Sequence, residues 1–360
     1  MLDLSKLRDQ PRLLIEADLH PVQGTRFQPT GFPDLGAAEF KDPDGEDMLL
    51  VESSQSVANH VERTVFREFT RDWVSDDLHP AVAGLPYVQI NLGDYGKTST
   101  LLEAHRLNTP YLWNSDEADA KALQEKILAD LGIPAKRKKK GQKSAETESG
   151  DEKNEVPGAI DMKKFYATLL KYDPNCLLHG VFLEKVAGRL RVPRALSGFI
   201  EAEGAARADS GGVKNDHVFP KKDAELGVTS DEGYVNVPYP RTDYVARNMT
   251  AYFNLDLAQI RGFGLGENVE KLLVALALFK IQRFLATGLR LRAGCDLETN
   301  EIRVTRPGEF ICPDLKTLEA ALPDLVEAVA KEGTNSFAEP RVSTASWKPK
   351  KSAKPKEAKS

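Results

Sequence analysis

A chain of 360 residues, 41% hydrophobic and 29% charged, is long enough for about two domains, or for one domain with large insertions. A net charge of −5 excludes a uniformly basic nucleic-acid coat. Cys176, Cys295 and Cys312, widely spaced and without a CxxC or zinc pattern, exclude a disulfide scaffold and a cysteine-built metal centre.

Taken in chain order, residues 11–19 (PRLLIEADL) read as a strand and HPVQGTRFQPTGFPDLG as a long Gly/Pro-rich loop. From Ser53, the spacing of Val57, Val61, Val65 and Phe66 predicts an amphipathic helix capped by Ser53 or Ser54. Residues 86–92 alternate as a strand, and Ser99 to Leu107 suggests a short helix. Residues 136–155 (KRKKKGQKSAETESGDEKNE) are nearly free of apolar side chains, which makes 115–160 a finger or disordered insertion. Beyond it, 161–172 is helical, and Leu177–Leu183 and Arg189–Ile200 are strand-like. Residues 205–240 form a long polar excursion, and 241–260 return as strand. Glu267–Thr287 is apolar nearly all round, as a deeply buried helix is. Strands at 288–293 and 301–306 and a helix at 314–331 close a domain spanning 1–335. Residues 336–360 hold seven Lys and Arg against Glu339 and Glu357, and read as a disordered basic tail; the preceding residues then carry about −10. This order implies an α+β fold with helices on one face of a sheet, an RNA-recognition-like (ferredoxin-like) core decorated by insertions. No apolar run approaches the roughly 18 residues of a membrane span and no signal peptide opens the chain, so a cytoplasmic protein with no membrane partner is expected.

Several segments could meet a phosphate backbone. Gln23, Gly24, Arg26, Phe27 and Gln28 follow the first strand: Arg26 could fork onto a phosphate and Phe27 could stack on a base, although an ordinary surface loop has the same composition. Ser53, Ser56, Asn59 and His60 share one polar helix face, which suits either an anion or plain capping. His105 lies between Glu103 and Arg106, and His179 further on, but no HExxH, GxSxG or Cys–His signature accompanies them. Arg189, Arg191 and Arg194 make a basic ridge, and Gly211 and Gly212 form a hinge-like turn before Lys214 and Asn215. Arg261 opens RGFGLG, which lacks the Lys-Ser/Thr of a P-loop and the spacing of a dinucleotide turn.

PVQGTRFQPTGFPDLGAA (21–38), VESSQSVANHVE (51–62), EAHRL (103–107), DPNCLLHGVFL (173–183), RVPRALSGFIEA (191–202), GGVKND (211–216) and ATGLRLRAGCDLE (286–298) together resemble one family. It is the backbone (Cas-seven type) subunit of type I-G, formerly I-U, CRISPR effector complexes, in the repeat-associated mysterious protein superfamily. The resemblance implies an RNA-recognition-like palm, finger insertions and a thumb hairpin within 205–240. It also implies no catalytic residue, no metal and no cofactor. The implied partners are a guide RNA, further copies of the chain in a filament, the other effector subunits, and target DNA reached through the guide. Two readings compete with it: a metal-independent ribonuclease using His105 or His179, and a nucleotide-binding regulator using the 261–266 turn.

Overall fold

The computed structural model describes residues 2–32, 34–133, 160–187, 190–215, 217–218, 235–287, 289–333 and 336–349. Arg189, the lysine-rich stretch at 136–155, residues 219–234 and the chain from 350 onward lie outside the described residues.

Alternation produces the first strand. In β1 (Arg12–Pro21), Leu13, Ile15, Ala17 and Leu19 are buried and their neighbours face the other way. The long loop holds a small hairpin, β2 (Gly31–Phe32) with β3 (Gly36–Ala37), then β4 (Glu39–Lys41) and β5 (Asp47–Glu52). α1 (Ser54–Arg63) begins where Ser53 Oγ accepts the Ser56 backbone N–H, and it buries Val57, Ala58 and Val61. A second layer starts with β6 (Tyr87–Asn91) and β7 (Lys97–Ser99), then α2 (Pro110–Trp113) and α3 (Ala118–Asp130). It continues with α4 (Met162–Tyr172), α5 (Asn175–His179), β8 (Val181–Leu183), α6 (Glu184–Ala187) and β9 (Leu190–Val192).

The chain then re-enters the main sheet with β10 (Leu196–Glu203). It leaves as a two-stranded ribbon, β11 (Ala206–Lys214) with β12 (Val237–Val245), and returns as β13 (Asn248–Asp256). After α7 (Leu257–Gly262) and α8 (Glu267–Ala286) come β14 (Leu289–Arg292), β15 (Cys295–Arg306), α9 (Leu315–Ala330) and β16 (Val342–Ser346). The seven-stranded sheet runs β14-β15-β1-β13-β10-β5-β4, with every neighbouring pair antiparallel. α1 packs on β10, and α8 packs on β13, β14 and β15, so one sheet face is covered and the other is left open. α8 is buried all round because α1, α5 and α9 cover the sides that the sheet does not. No helix among the described residues is long and apolar enough to cross a membrane.

The fold is mixed α and β with a largely antiparallel sheet, as expected, but several local readings change. Residues 99–107 are a turn followed by a short 3-10 segment at Arg106–Asn108, because Ser99 finishes a strand paired with Gln89. Residues 177–179 are helical, and 257–260 belong to α7. The excursion after 205 is a regular ribbon over its described part. Within 115–160, residues 118–130 form α3, which puts Ala120, Leu123 and Ile127 into the core.

The reading of 336–360 as a disordered tail is wrong for its first part. Val342–Ser346 pairs in parallel with β6, Phe337 and Ala338 are buried, and the Trp347 ring meets Tyr111 edge-on at 5.2 Å. A β-competent stretch, VSTAS, precedes the lysines, and their composition hides it.

Truncations separate the two halves of this segment. Removing 350–360 should leave the melting temperature unchanged. Removing 337–360 should lower it by many degrees, and Phe337→Ala alone should cost about 3 kcal/mol by urea denaturation.

Candidate nucleic-acid interface

The loop after β1 is held at several points. The Phe27 and Tyr244 backbones exchange two 2.9 Å hydrogen bonds, Gln28 N donates to Gly294 O at 2.8 Å, and Thr30 N donates to Val51 O at 2.9 Å. Gln28 Nε2 donates to Thr242 O at 3.1 Å, which ties the loop to the ribbon base. Gly294 has φ +76°, a left-handed conformation that strains any other residue, so the turn favours glycine.

Beneath the loop, Arg292 pairs with Glu52 and donates through Nη1 to Gln28 O at 2.9 Å and to Val51 O at 3.2 Å. Glu52 is only 1% exposed, so this pair is a buried charge pair joining β14, β5 and the loop. Over it, a groove of about 310 Å³ is lined by Gln28, Thr30, Gly31, Gly36, Arg207 and Tyr244. Arg207 Nε donates to Glu39 at 2.8 Å, and the Tyr244 hydroxyl donates to the same carboxylate.

The ribbon projects from this base. Ala206 faces Val245 and Lys214 faces Val237, with regular pairing between them. Gly211 and Gly212 are paired strand residues and not a hinge: a Cβ on Gly212 would lie 2.7 Å from the Tyr239 hydroxyl, whose ring covers it. Val213, Val218 and Tyr239 are each at least half exposed, and Lys214 and Asn215 are exposed at the outer end.

A second polar patch surrounds the start of α1. Arg194 donates to Gln55 Oε1, and Gln55 Nε2 donates to Asn59 Oδ1 at 2.9 Å. Ser56 is half-buried beside them, and the Ser53 hydroxyl serves as the helix cap. Gln23, Gly24 and Arg26 are exposed, and Arg26 makes no ion pair among the described residues. Arg191, exposed on β9, stands opposite the half-exposed Phe182 of β8. The structure therefore brings Gln28 to the ribbon base and joins Arg194 to α1.

Four expected contact residues point elsewhere. Phe27 is 2% exposed and packs into the core, so it cannot stack on a base. His60 turns toward Phe284, at 5.9 Å between ring centroids. Burial first, then Arg63 and Arg71, pull its pKa down to about 4, so the ring is neutral near pH 7. Arg106 is buried at a left-handed φ of +49°, paired with Glu62 and donating to Gly180 O at 2.8 Å. Arg261 donates to Gln10 O at 2.8 Å and so holds the N-terminal segment. The turn after it leads into α8, whose first turn carries Glu267 and Glu270, an unfavourable setting for a phosphate.

The histidines do not form an acid–base pair. His105 is exposed, while Glu103 accepts from Thr98 Oγ1 at 2.7 Å. His179 is 1% exposed, with Nε2 2.7 Å from Lys280 Nζ and Nδ1 3.8 Å from Glu62 Oε1. Burial first, then the Lys280 charge, holds the His179 pKa well below its ordinary value, so the ring is neutral. Burial pulls the Lys280 pKa down to about 7.

Sequence reasoning missed Arg207, Tyr244, Glu39 and Arg292. Only the alternation of Val235, Val237 and Tyr239 hinted at a strand in the ribbon.

A profile of the family described as CRISPR-associated protein GSU0053 (Cas_GSU0053) matches residues 13–207. Among curated proteins, none matches the chain. Among solved structures, one chain of a "CRISPR RNA-guided surveillance complex, pre-nicking" is similar at 14% identity over 89% of both chains, with a TM-score of 0.42. Thermofilum pendens Csc2 is similar at 10% identity over 90% of this chain and 79% of that one, with a TM-score of 0.29.

Two buried groups give measurable outcomes. Arg292→Ala strands the Glu52 carboxylate and should cost about 3–5 kcal/mol; in a double-mutant cycle with Glu52→Gln, the two losses should fall short of additivity. For Lys280, the folded state holds fewer protons than the unfolded state between about pH 7 and its ordinary value of 10.5. Stability should therefore rise with pH from about 7 to about 8, below the ordinary thiol range. Chemical denaturation of wild type and Lys280→Met should show this slope in the first and lose it in the second.

Proposed function

The chain belongs to the CRISPR-associated protein GSU0053 family, with more than half of its residues inside the match, and from this membership we propose that it is a guide-RNA-holding backbone subunit of a type I-G effector complex. In this reading many copies line one guide RNA, leave its bases free to pair with target DNA, and join the other effector subunits in the cytoplasm. The protein holds RNA and does not cut it.

The observation that carries the reading is the ribbon. Nine consecutive cross-strand pairs, Ala206↔Val245 to Lys214↔Val237, extend from between β10 and β13, neighbours in the sheet, and end in exposed apolar side chains. Such an arm buries little surface within its own chain, so its natural role is to reach a neighbour or a ligand. We take it as the thumb. The connectivity β1-α1-β10-β13-α8-β15, with spatial order β15-β1-β13-β10, supports the RNA-recognition-like palm.

The RNA backbone then runs past the ribbon base and the start of α1. Arg26, Gln28, Arg191, Arg194, Ser56 and Asn59 offer donors there, and hydrogen bonds to phosphate position a strand without reading its sequence. Catalysis needs a base within reach of its proton, and neither His105 nor His179 has that arrangement.

The test is to excise 212–239, close Gly211 to Pro240 through a two-residue Asn-Gly turn, and weigh the protein by light scattering with and without RNA. The shortened monomer should fold normally and fail to assemble on RNA that the wild type coats in steps of one subunit. Full assembly by the shortened protein would reject the thumb, and RNA cleavage by the wild type in EDTA would reject the non-catalytic role.

A further inference from the structure

The exposed face of α1 does not stop at Asn59. Gln55, Asn59 and Arg63 follow one another at four-residue spacing, so Arg63 prolongs the strip that Arg194 begins. Arg63 Nη1 donates to Thr70 O at 3.5 Å, which leads the strip onto the hairpin at 66–78.

That hairpin is tied at its base and at its tip. Phe66 bridges Leu78 and Phe69 bridges Val74. Thr70 closes the tip: its N–H donates to Trp73 O at 2.7 Å, and its hydroxyl accepts from Trp73 N at 3.1 Å. From below, buried Arg283 donates to the carbonyls of Thr64 and Phe66, both at 2.6 Å, and of Arg67 at 2.9 Å; its guanidinium lies 5.1 Å from the Phe69 ring centre. On this fixed tip Trp73 is 55% exposed, and no aromatic ring packs against the indole among the described residues. Tryptophan prefers burial, so a large ring held outward on a braced turn is a feature that the fold's own packing does not explain.

The geometry points to Trp73 as a stacking platform for an unpaired base of single-stranded RNA at the far end of the α1 strip, with Arg63 as the neighbouring phosphate contact. This rests on the RNA-holding function proposed above. The chemistry fits a base better than a phosphate cluster, because Arg67 and Arg71 on the hairpin are outnumbered by Glu68, Asp72, Asp76 and Asp77, with Asp72 3.9 Å from Arg71 and Asp76 3.8 Å from Lys97. A site with no surplus of cations and one exposed ring gains its affinity from the π-face, which every base offers.

The test uses the full chain and a fluorescein-labelled oligouridine, with anisotropy read across a salt series. Trp73→Ala should weaken binding on the order of tenfold or more with the salt slope unchanged, and Trp73→Phe should restore most of the loss. Arg63→Ala should instead reduce the salt slope by about one. Tryptophan emission of a Trp113→Phe/Trp347→Phe variant should be quenched by the oligouridine. Wild-type affinity in Trp73→Ala would overturn the platform alone, as would lost contact with other effector subunits while RNA affinity is kept, which would mark a protein contact. If the wild type itself does not bind, the RNA-holding function falls and the platform with it.

Discussion

The buried pair of Arg292 and Glu52 decides where the proposed interface lies. Two charges removed from water are tolerated only when each is paired and its remaining donors are satisfied. Arg292 meets that demand by donating to the carbonyls of Gln28 and Val51, so the energetics of one side chain fix a loop, a strand end and a sheet edge together. Ser53, which caps α1, follows Glu52 directly. The loop on the ribbon side and the helix on the other thus share one anchor, and their exposed donors are held at a constant spacing. A surface that grips a polymer repeatedly needs that constancy more than it needs affinity at any one contact.

The polar residues under the helical layer have a different role, although they are of the types that do catalysis elsewhere. Glu62 on α1, Arg106 on the 3-10 turn, His179 on α5 and Lys280 on α8 form one connected group from four elements. Burial keeps His179 neutral and pulls Lys280 down, so the group holds helices together and presents nothing to solvent. Its cost appears as pH-dependent stability and not as reactivity.

Much of the architecture was readable from pattern alone. Alternation marked β1, the cap at Ser53 marked α1, and an all-round apolar run marked α8, because each signal is local. What escaped was decided by partners far away in the chain. Phe27 looks like a loop aromatic until its backbone bridges Tyr244, and Arg106 looks like a surface cation until Glu62 draws it inward. The ribbon is buried only at its base, around Asp243 and Tyr244, so hydrophobic periodicity gave little sign of it, and β16 was hidden by the lysines that follow it. Of the proposed contacts, Arg26 was legible because it is exposed and makes no ion pair among the described residues, whereas Gln28, Arg194 and Asn59 already bond to Thr242 or Gln55.

The open face of the sheet limits the route further. RNA-recognition-like sheets commonly offer exposed aromatics there for bases to stack on. Here Phe199 and Tyr252 stack on each other at 5.1 Å, so each ring already has a partner. The surrounding row is acidic: Glu16 and Asp18 flank Arg303, and Glu201, its carboxyl pushed up by partial burial, stands beside Thr250. A polynucleotide laid across that face would meet more carboxylates than cations, and repulsion in a half-buried setting is poorly screened by salt. The electrostatics therefore direct the proposed strand to the sheet edge and the α1 strip, where the donors are arginine, amide and hydroxyl. They leave the open face to contacts of another kind.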